Sequence, residues 1–268
     1  MQNYNNKFSL KGKTCFVLGG SGLLGAEICH AFLDFGAKVI CLDVDFERVK
    51  HLSARGENFI LEDFDCTKTE SLEKKIISLV DLHSCPDVFV NSSYPRTSDW
   101  PDSSFKELKL ESLERNININ LVSTSWISKI IAENMRIHSV HGSIIHLGSI
   151  YGMLGQNLNI YEGTDMKENV IYSIIKGGLI NLTRQMASSY GKFDIRVNCI
   201  SPGGVEGPVA GKKNKQDEIF IKNYSKNTPL KRLARSDEIG SSAVFLASEG
   251  SSYITGINLV VDGGWTAI

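Results

Sequence analysis

Tyr172 and Lys176 stand four apart in a stretch of helical periodicity, so their side chains project from one face. A phenol beside an ammonium can handle a proton, because the cation favours the phenolate and brings down a pKa that starts at about 10. A tyrosine tuned in this way takes a proton from a hydroxyl or returns one to it. Ser149 lies just past the apolar run 143–147, where its hydroxyl can hold the oxygen that loses or gains that proton. Far upstream, Gly20-Ser21-Gly22-Leu23-Leu24-Gly25 satisfies GxGxxG between a β-rich run and a helical one. Glycines there permit a tight turn, close approach of the backbone to a pyrophosphate and close packing of helix on sheet, and the helix start offers amide donors to the anion. Asp43 ends the next apolar run, with Arg48 the nearest following cation. A carboxylate at that point accepts from ribose hydroxyls and repels a 2′-phosphate, which predicts NAD rather than NADP.

The elements that must hold these residues alternate along the chain. Apolar runs at 14–18, 38–42, 59–61, 88–90, 143–147, 195–200 and 258–261 read as seven strands, with helical periodicity between them, as in Leu24, Ile28, Ala31, Phe32 and Phe35. Such alternation predicts an α/β fold: a Rossmann-type, doubly wound parallel sheet of seven strands with helices on both faces, in a single domain spanning 1–268. Continuous apolar strands such as KVICL fit a sheet buried on both sides. Residues 1–10 form a polar tail. Residues 151–171 and 203–228 break the rhythm, and long irregular pieces in a compact domain are usually functional. They are expected to be a substrate loop and a lid.

Composition narrows the partners. The chain has 268 residues, 42% hydrophobic and 22% charged, enough for one sizeable core. With 29 Lys and Arg against 30 Asp and Glu, the net charge is −1, and no basic excess is available for a nucleic acid backbone. No apolar run approaches the roughly 18 residues that span a bilayer, and residues 1–13 lack the apolar core of a secretory signal. Cys15, Cys29, Cys41, Cys66, Cys85 and Cys199 form no CxxC pair, and His138 and His141 have no clustered third ligand. Reduced thiols, no metal and a cytoplasmic compartment are expected.

Taken together these motifs resemble the short-chain dehydrogenase/reductase family in its shorter, single-domain type, over nearly the whole chain from Leu10 to Ala267. CFVLGGSGLLGAEI resembles the family's glycine turn, implying that Gly19, Ser21, Gly22, Leu23, Leu24 and Gly25 bind the cofactor. Asp65-Cys66-Thr67 resembles the adenine-contacting segment after the third strand, and Asn91, Ser92 and Ser93 match the fourth-strand asparagine motif in part. Asn120 in NINLVSTSW matches the helix asparagine that holds a water in the proton relay. LGSIYG and YSIIK carry the serine, tyrosine and lysine as Ser149, Tyr172 and Lys176. In RVNCISPGGV, Pro202, Gly203 and the Val205 backbone match the segment that meets the nicotinamide amide. The resemblance implies a homotetramer or homodimer formed through helix faces and the C-terminal segment.

The chain departs from the family pattern at several points. Leu18 and Leu23 replace the threonine and the middle glycine of the usual turn, and GGSGLLG is similar instead to the extended type. The strand-four motif reads Asn91-Ser92-Ser93-Tyr94, which puts an aromatic near the nicotinamide pocket. Gly207 stands where a threonine is usual. Ser149 and Tyr172 are 23 positions apart, and the extra residues offer Tyr151, Gln156, Asn157, Tyr161, Glu162 and Thr164. A polar, amide-rich wall suits a sugar or polyol better than an acyl chain. Tyr94 and Arg96 add an aromatic platform and a guanidinium for a phosphate or carboxylate. The set GGSGLLG, SSYPR and YEGTDM resembles dehydrogenases of bacterial surface-sugar pathways, including those for flagellar nonulosonic acids. The expected activity is NAD-dependent interconversion of a secondary alcohol and a ketone on a sugar-like, anionic or nucleotide-activated substrate. A reductase of an acyl or simple polyol substrate and a non-catalytic NAD-binding sensor remain as alternatives.

Overall fold

Strands form where apolar residues run without interruption, and helices form where they recur every third or fourth position. In the computed structural model, which describes residues 4–208 and 216–268, this gives β1 (Thr14–Leu18), α1 (Leu23–Asp34), β2 (Lys38–Asp43), β3 (Phe59–Asp63), α2 (Leu72–His83) and β4 (Val88–Asn91). Then follow α3 (Leu110–Ile117), α4 (Ser123–Ile137), β5 (Ser143–Leu147), α5 (Val170–Tyr190), β6 (Arg196–Pro202), α6 (Glu218–Asn227), α7 (Ser236–Ala247) and β7 (Asn258–Val261). The seven strands make one parallel sheet in the order β3-β2-β1-β4-β5-β6-β7. The order reverses between β1 and β4, and in open α/β sheets the crevice beyond the strand ends at such a point receives the ligand.

Alternate residues of each strand feed opposite faces. Val17, Val39, Cys41 and Val90 pack with Ile28 and Phe32 of α1 and with Ile239 and Val244 of α7. Phe16, Ile40, Phe89 and Ile144 pack on the other face with Ile76 of α2 and with Ile127 and Ile131 of α4. Each fully buried side chain of this kind contributes about 2 kcal/mol. Several strands run one to two residues beyond their apolar runs. β2 reaches Asp43 and β4 reaches Asn91, because ladder hydrogen bonds engage the backbone whatever the side chain. The six cysteines are free thiols.

The two irregular stretches have structure of their own. Between 151 and 171 lie the end of a 3₁₀ turn (Ile150–Gly152), a second 3₁₀ turn (Leu158–Tyr161) and the start of α5. The stretch 203–228 contains α6, whose N-terminus is capped by Asp217 accepting from the Ile219 and Phe220 amides at 2.8 and 3.0 Å. Residues 209–215 of the expected lid, and the first three of the polar tail, lie outside the described residues. No described helix is long and apolar enough to cross a membrane.

Candidate active site

The glycine turn is folded against the end of β4. Gly19 has φ +72°, and a Cβ there would stand 2.6 Å from the backbone of Ser93. A Cβ on Gly25 would collide with the Gly19 carbonyl oxygen and lie 2.7 Å from Ser92 Oγ. These two positions are glycine for steric reasons, while Gly22 is less crowded. Gly22 is the N-cap of α1 and supplies no side-chain cap, so the helix start opens on a cavity of about 740 Å³ lined by Ser21, Gly22, Leu23 and Leu24. Asp43 accepts from the Ser21 amide at 2.9 Å and the Val44 amide at 2.8 Å, so the turn itself sets the position of the carboxylate. Asp65 accepts from the Thr67 amide and hydroxyl at 3.0 and 2.6 Å, and the hydroxyl contact is the main reason its carboxyl lies below the usual range. Asp43, Asp45, Asp65 and Cys66 line the same cavity, and the basic residues among the described lining are Arg96 and Lys176.

Tyr172 and Lys176 sit at the start of α5. Asn169 caps that helix by accepting from the Tyr172 amide at 2.8 Å, which anchors the turn carrying the phenol. Ser149, 4% exposed, follows β5, and its Oγ accepts from the Tyr151 amide at 3.2 Å. Lys176, 5% exposed, donates to the Leu147 carbonyl at 2.6 Å, and burial pushes its ammonium down to about 8. Its Nζ lies 5.5 Å from the centre of the Tyr172 ring and 5.1 Å from that of Tyr94. The expectation that Lys176 lowers the Tyr172 pKa is not what the structure gives. Burial pushes the phenol up, and the Ser149 hydroxyl and then the Arg96 guanidinium pull it partly back. The physical reason is that desolvation raises the phenol and also lowers Lys176, whose ammonium gives up its proton before the phenol ionises.

Asn120 lies in a π-helical turn (Asn118–Val122), with Nδ2 donating to the Pro95 and Asn116 carbonyls at 3.1 Å each. Its Oδ1 is buried and takes no hydrogen bond from the described residues. Asn91 lies beneath the cavity wall, accepting from the Ser93 amide and hydroxyl and donating to Thr124 Oγ1 at 3.0 Å. Tyr94 packs edge-on against Tyr172, ring centres 5.1 Å apart, and accepts from Trp100 Nε1 at 3.3 Å. Arg96 lies over the Trp100 ring at 4.2 Å.

Of the residues expected at the cofactor, all but Gly25 and Asn91 line the cavity. Of those expected at the substrate, Tyr94 and Arg96 line it, whereas Ser149, Tyr151, Asn157, Tyr161 and Glu162 do not. Gln156 and Tyr161 of the 151–171 stretch are turned toward each other and toward the start of α5. Gln156 Oε1 accepts from Tyr161 Oη at 2.9 Å and from the Asn169 amide at 3.2 Å, and its Nε2 donates to the Asn169 carbonyl and Ser173 Oγ. Asn157 accepts from the Asn159 amide at 3.1 Å, and Glu162 is exposed. Tyr161 stacks on Phe220 of α6 at 6.1 Å, and Tyr224 of α6 stacks on Trp265 at 4.3 Å. An internal staple and an aromatic ladder thus replace the expected polar wall.

Pro202, Gly203 and Val205 reach the cavity, Gly204 donates to Tyr224 Oη at 2.6 Å, and the Val205 carbonyl accepts from Gln216 at 2.9 Å. Trp100 and Gln216 were missed by sequence reasoning. Only Trp100 carried a signal, as a large aromatic four residues past the arginine of SSYPR.

A family model described as enoyl-(acyl carrier protein) reductase matches residues 21–266. The post-translational flagellin modification protein A of Campylobacter coli is 31% identical over 261 residues, covering 96% of this chain and 99% of that protein. The ribulose-forming D-arabinitol 2-dehydrogenase of Scheffersomyces stipitis is 29% identical over 279 residues, covering 96% and 95%. The structure of a short chain dehydrogenase from Leptospira borgpetersenii serovar Hardjo-bovis with bound NAD⁺ superposes with a TM-score of 0.84 at 30% identity, covering 99% of this chain and 96% of that one.

Proposed function

The chain belongs to the short-chain dehydrogenase/reductase family, and we propose accordingly that it interconverts a secondary alcohol and a ketone on a sugar-like substrate with NAD, in the building of bacterial surface glycans. The observation that carries this reading is the meeting of Ser149, from the end of β5, with Tyr172 and Lys176, from the start of α5, beside a cavity that also holds the glycine turn and Asp43. The cradle fits a dinucleotide. Side chains at Gly19 and Gly25 would clash with the backbone that shapes it, and Asp43, held by the turn at the end of β2, would accept from ribose hydroxyls. Asp45 and Asp65 share the cavity with Asp43 and disfavour a 2′-phosphate, which supports NAD.

Ser149 holds the reacting oxygen. Tyr172 accepts the hydroxyl proton in oxidation and returns it in reduction. Lys176 would hold the nicotinamide ribose, and Asn120 would hold a water between Lys176 and bulk. A bound nicotinamide would supply hydride transfer.

With Gln156 and Tyr161 engaged with each other and Asn157 in a local cap, the polar-wall argument for a sugar falls away. The sugar reading now draws on the printed activities of the relatives, a pentitol dehydrogenase and a flagellin modification protein. The family model's description favours the acyl alternative, so an acyl thioester belongs in the assay. That assay follows reduced-nicotinamide absorbance with NAD and with NADP across polyols, sugar phosphates, nucleotide sugars and an acyl thioester, with Tyr172→Phe beside the wild type. Turnover of a sugar or polyol with NAD, lost by a factor of about 10²–10⁴ in the variant, is expected. Turnover confined to the thioester overturns the sugar reading. NADH binding without any turnover moves the chain to the sensor class.

A further inference from the structure

Beside the phenol, the wall of the cavity carries a cation on a rigid mount. Arg96 is exposed to the cavity with its guanidinium over the indole of Trp100, a stacking that fixes the plane of the fork. The segment carrying it is pinned on both sides. The Pro95 carbonyl accepts from Asn120, Thr97 Oγ1 accepts from Asn116 at 3.0 Å, and the Trp100 carbonyl accepts from Asn169, the residue that caps α5 one turn before Tyr172. A long cationic side chain normally loses rotamer freedom when it captures a ligand, and here packing has already removed much of that freedom.

We propose that Arg96 reads an anionic group, a phosphate or a carboxylate, carried by the substrate, so that the enzyme is selective for negatively charged sugar derivatives over neutral ones. This rests on the reading that an alcohol or ketone sits at Tyr172. A planar fork matches the paired oxygens of either anion, and a charge-assisted bidentate contact is among the stronger hydrogen-bonded interactions. After the Ser149 hydroxyl, the same cation pulls the Tyr172 phenol downward, so Arg96 reaches the reacting region as well as the wall.

The test uses the protein–NADH complex and three probes of matched chain length: D-glucitol, D-gluconate and D-glucitol 6-phosphate. Titration calorimetry on the wild type is expected to show at least one anionic probe binding about 10- to 100-fold tighter than glucitol, and the preferred probe says which anion is read. Arg96→Gln is expected to erase that ratio, and Arg96→Lys to keep part of it, since a point charge replaces a fork. Anionic probes that bind no tighter than glucitol overturn the proposal. So does an equal loss for all three probes in Arg96→Gln. A fall in NADH affinity without charge discrimination assigns Arg96 to the dinucleotide pyrophosphate and also overturns it. Tyr172→Phe separates the two readings: it should abolish turnover and keep the charge preference in binding. If turnover survives there, the proton-transfer reading fails while the charge preference still stands or falls on the calorimetry.

Discussion

The phenol of Tyr172 sits between opposing influences. Desolvation raises its pKa, and a hydroxyl and a guanidinium lower it. In the oxidation direction the phenol must be deprotonated to accept the substrate proton, so kcat/KM is expected to rise with pH. Ser149 is the first of the lowering influences. Ser149→Ala therefore removes a hydrogen bond to the phenolate, raises the pKa further and moves the rising limb of the pH profile to higher pH. It is also expected to lower kcat by about 10²–10³, as the loss of one donor to a developing oxyanion does. Steady-state rates across pH with saturating NAD check both effects, and a lowered kcat with an unmoved limb would separate Ser149 from the phenol. Lys176 follows a different logic. Its ammonium is held down to about 8 by burial, so its own charge is partly lost in the range where that limb rises.

Strands and helices place these groups through contacts that are themselves testable. On β5, His146 is fully buried between α4 and α5, with Nε2 2.9 Å from Ser128 Oγ and Nδ1 2.9 Å from Thr183 Oγ1. Thr183 gives its hydroxyl proton to the Leu179 carbonyl, so it accepts from Nδ1–H, and Nε2 accepts from Ser128. The ring is therefore neutral, and burial holds its pKa down at about 4. An unfolded histidine binds a proton near pH 6.5, so between about 6.5 and about 4 the unfolded state holds more protons than the folded one. Stability present above 6.5 is lost as pH falls through that window, by about 3 kcal/mol. Urea unfolding at pH 7 and at pH 4.5 should show the wild type losing more stability between the two than His146→Gln, and equal losses would refute the assignment. Across the cavity, the two departures from the family pattern meet. Gly207, at φ +137°, lies so close to Leu23 that a Cβ would stand 2.7 Å from its Cδ1. Leu23 occupies the space that a larger side chain at 207 would need. Gly207→Ala is expected to weaken NADH binding, and to weaken it less in a Leu23→Ala background, with a coupling of about 1 kcal/mol. Additive losses would mean that the two positions act independently and that backbone strain at 207 alone sets the penalty.

For the molecule as a whole, the seven strands and the grouping of Tyr172 with Lys176 were legible because each rests on local periodicity, and the parallel arrangement followed from the alternation of strands with helices. KVICL and SIIHL can only be buried strands, and a spacing of four on a helix means one face. Which residues of 151–171 face the cavity was not legible. Gln156 and Tyr161 satisfy each other across five positions, and Tyr161 stacks on Phe220, a partner nearly sixty residues away that no local pattern announces. The direction of the Tyr172 shift was hidden for a related reason, since burial is a property of the assembled core. The expectation of assembly beyond the single chain can be placed on what the fold leaves uncovered among the described residues. Val122 in the π-helical turn and Trp126 on α4 are 46% and 41% exposed four positions apart, and Ile174 on α5 is 43% exposed. Gly178 lets α5 approach Leu121 closely, since a Cβ there would stand 2.7 Å from Leu121 Cδ2, which sets these two elements side by side. An apolar surface spread over two adjacent helical elements is what a symmetric contact between copies would cover. Sedimentation equilibrium is therefore expected to give a mass that is a multiple of 29.6 kDa. Trp126→Glu buries a carboxylate at that contact if it exists and should shift the distribution toward smaller species, with the chain still folded by circular dichroism. A wild type that sediments as a monomer, or a variant with an unchanged mass, would show that the apolar surface on α4 and α5 is not where copies of this chain meet.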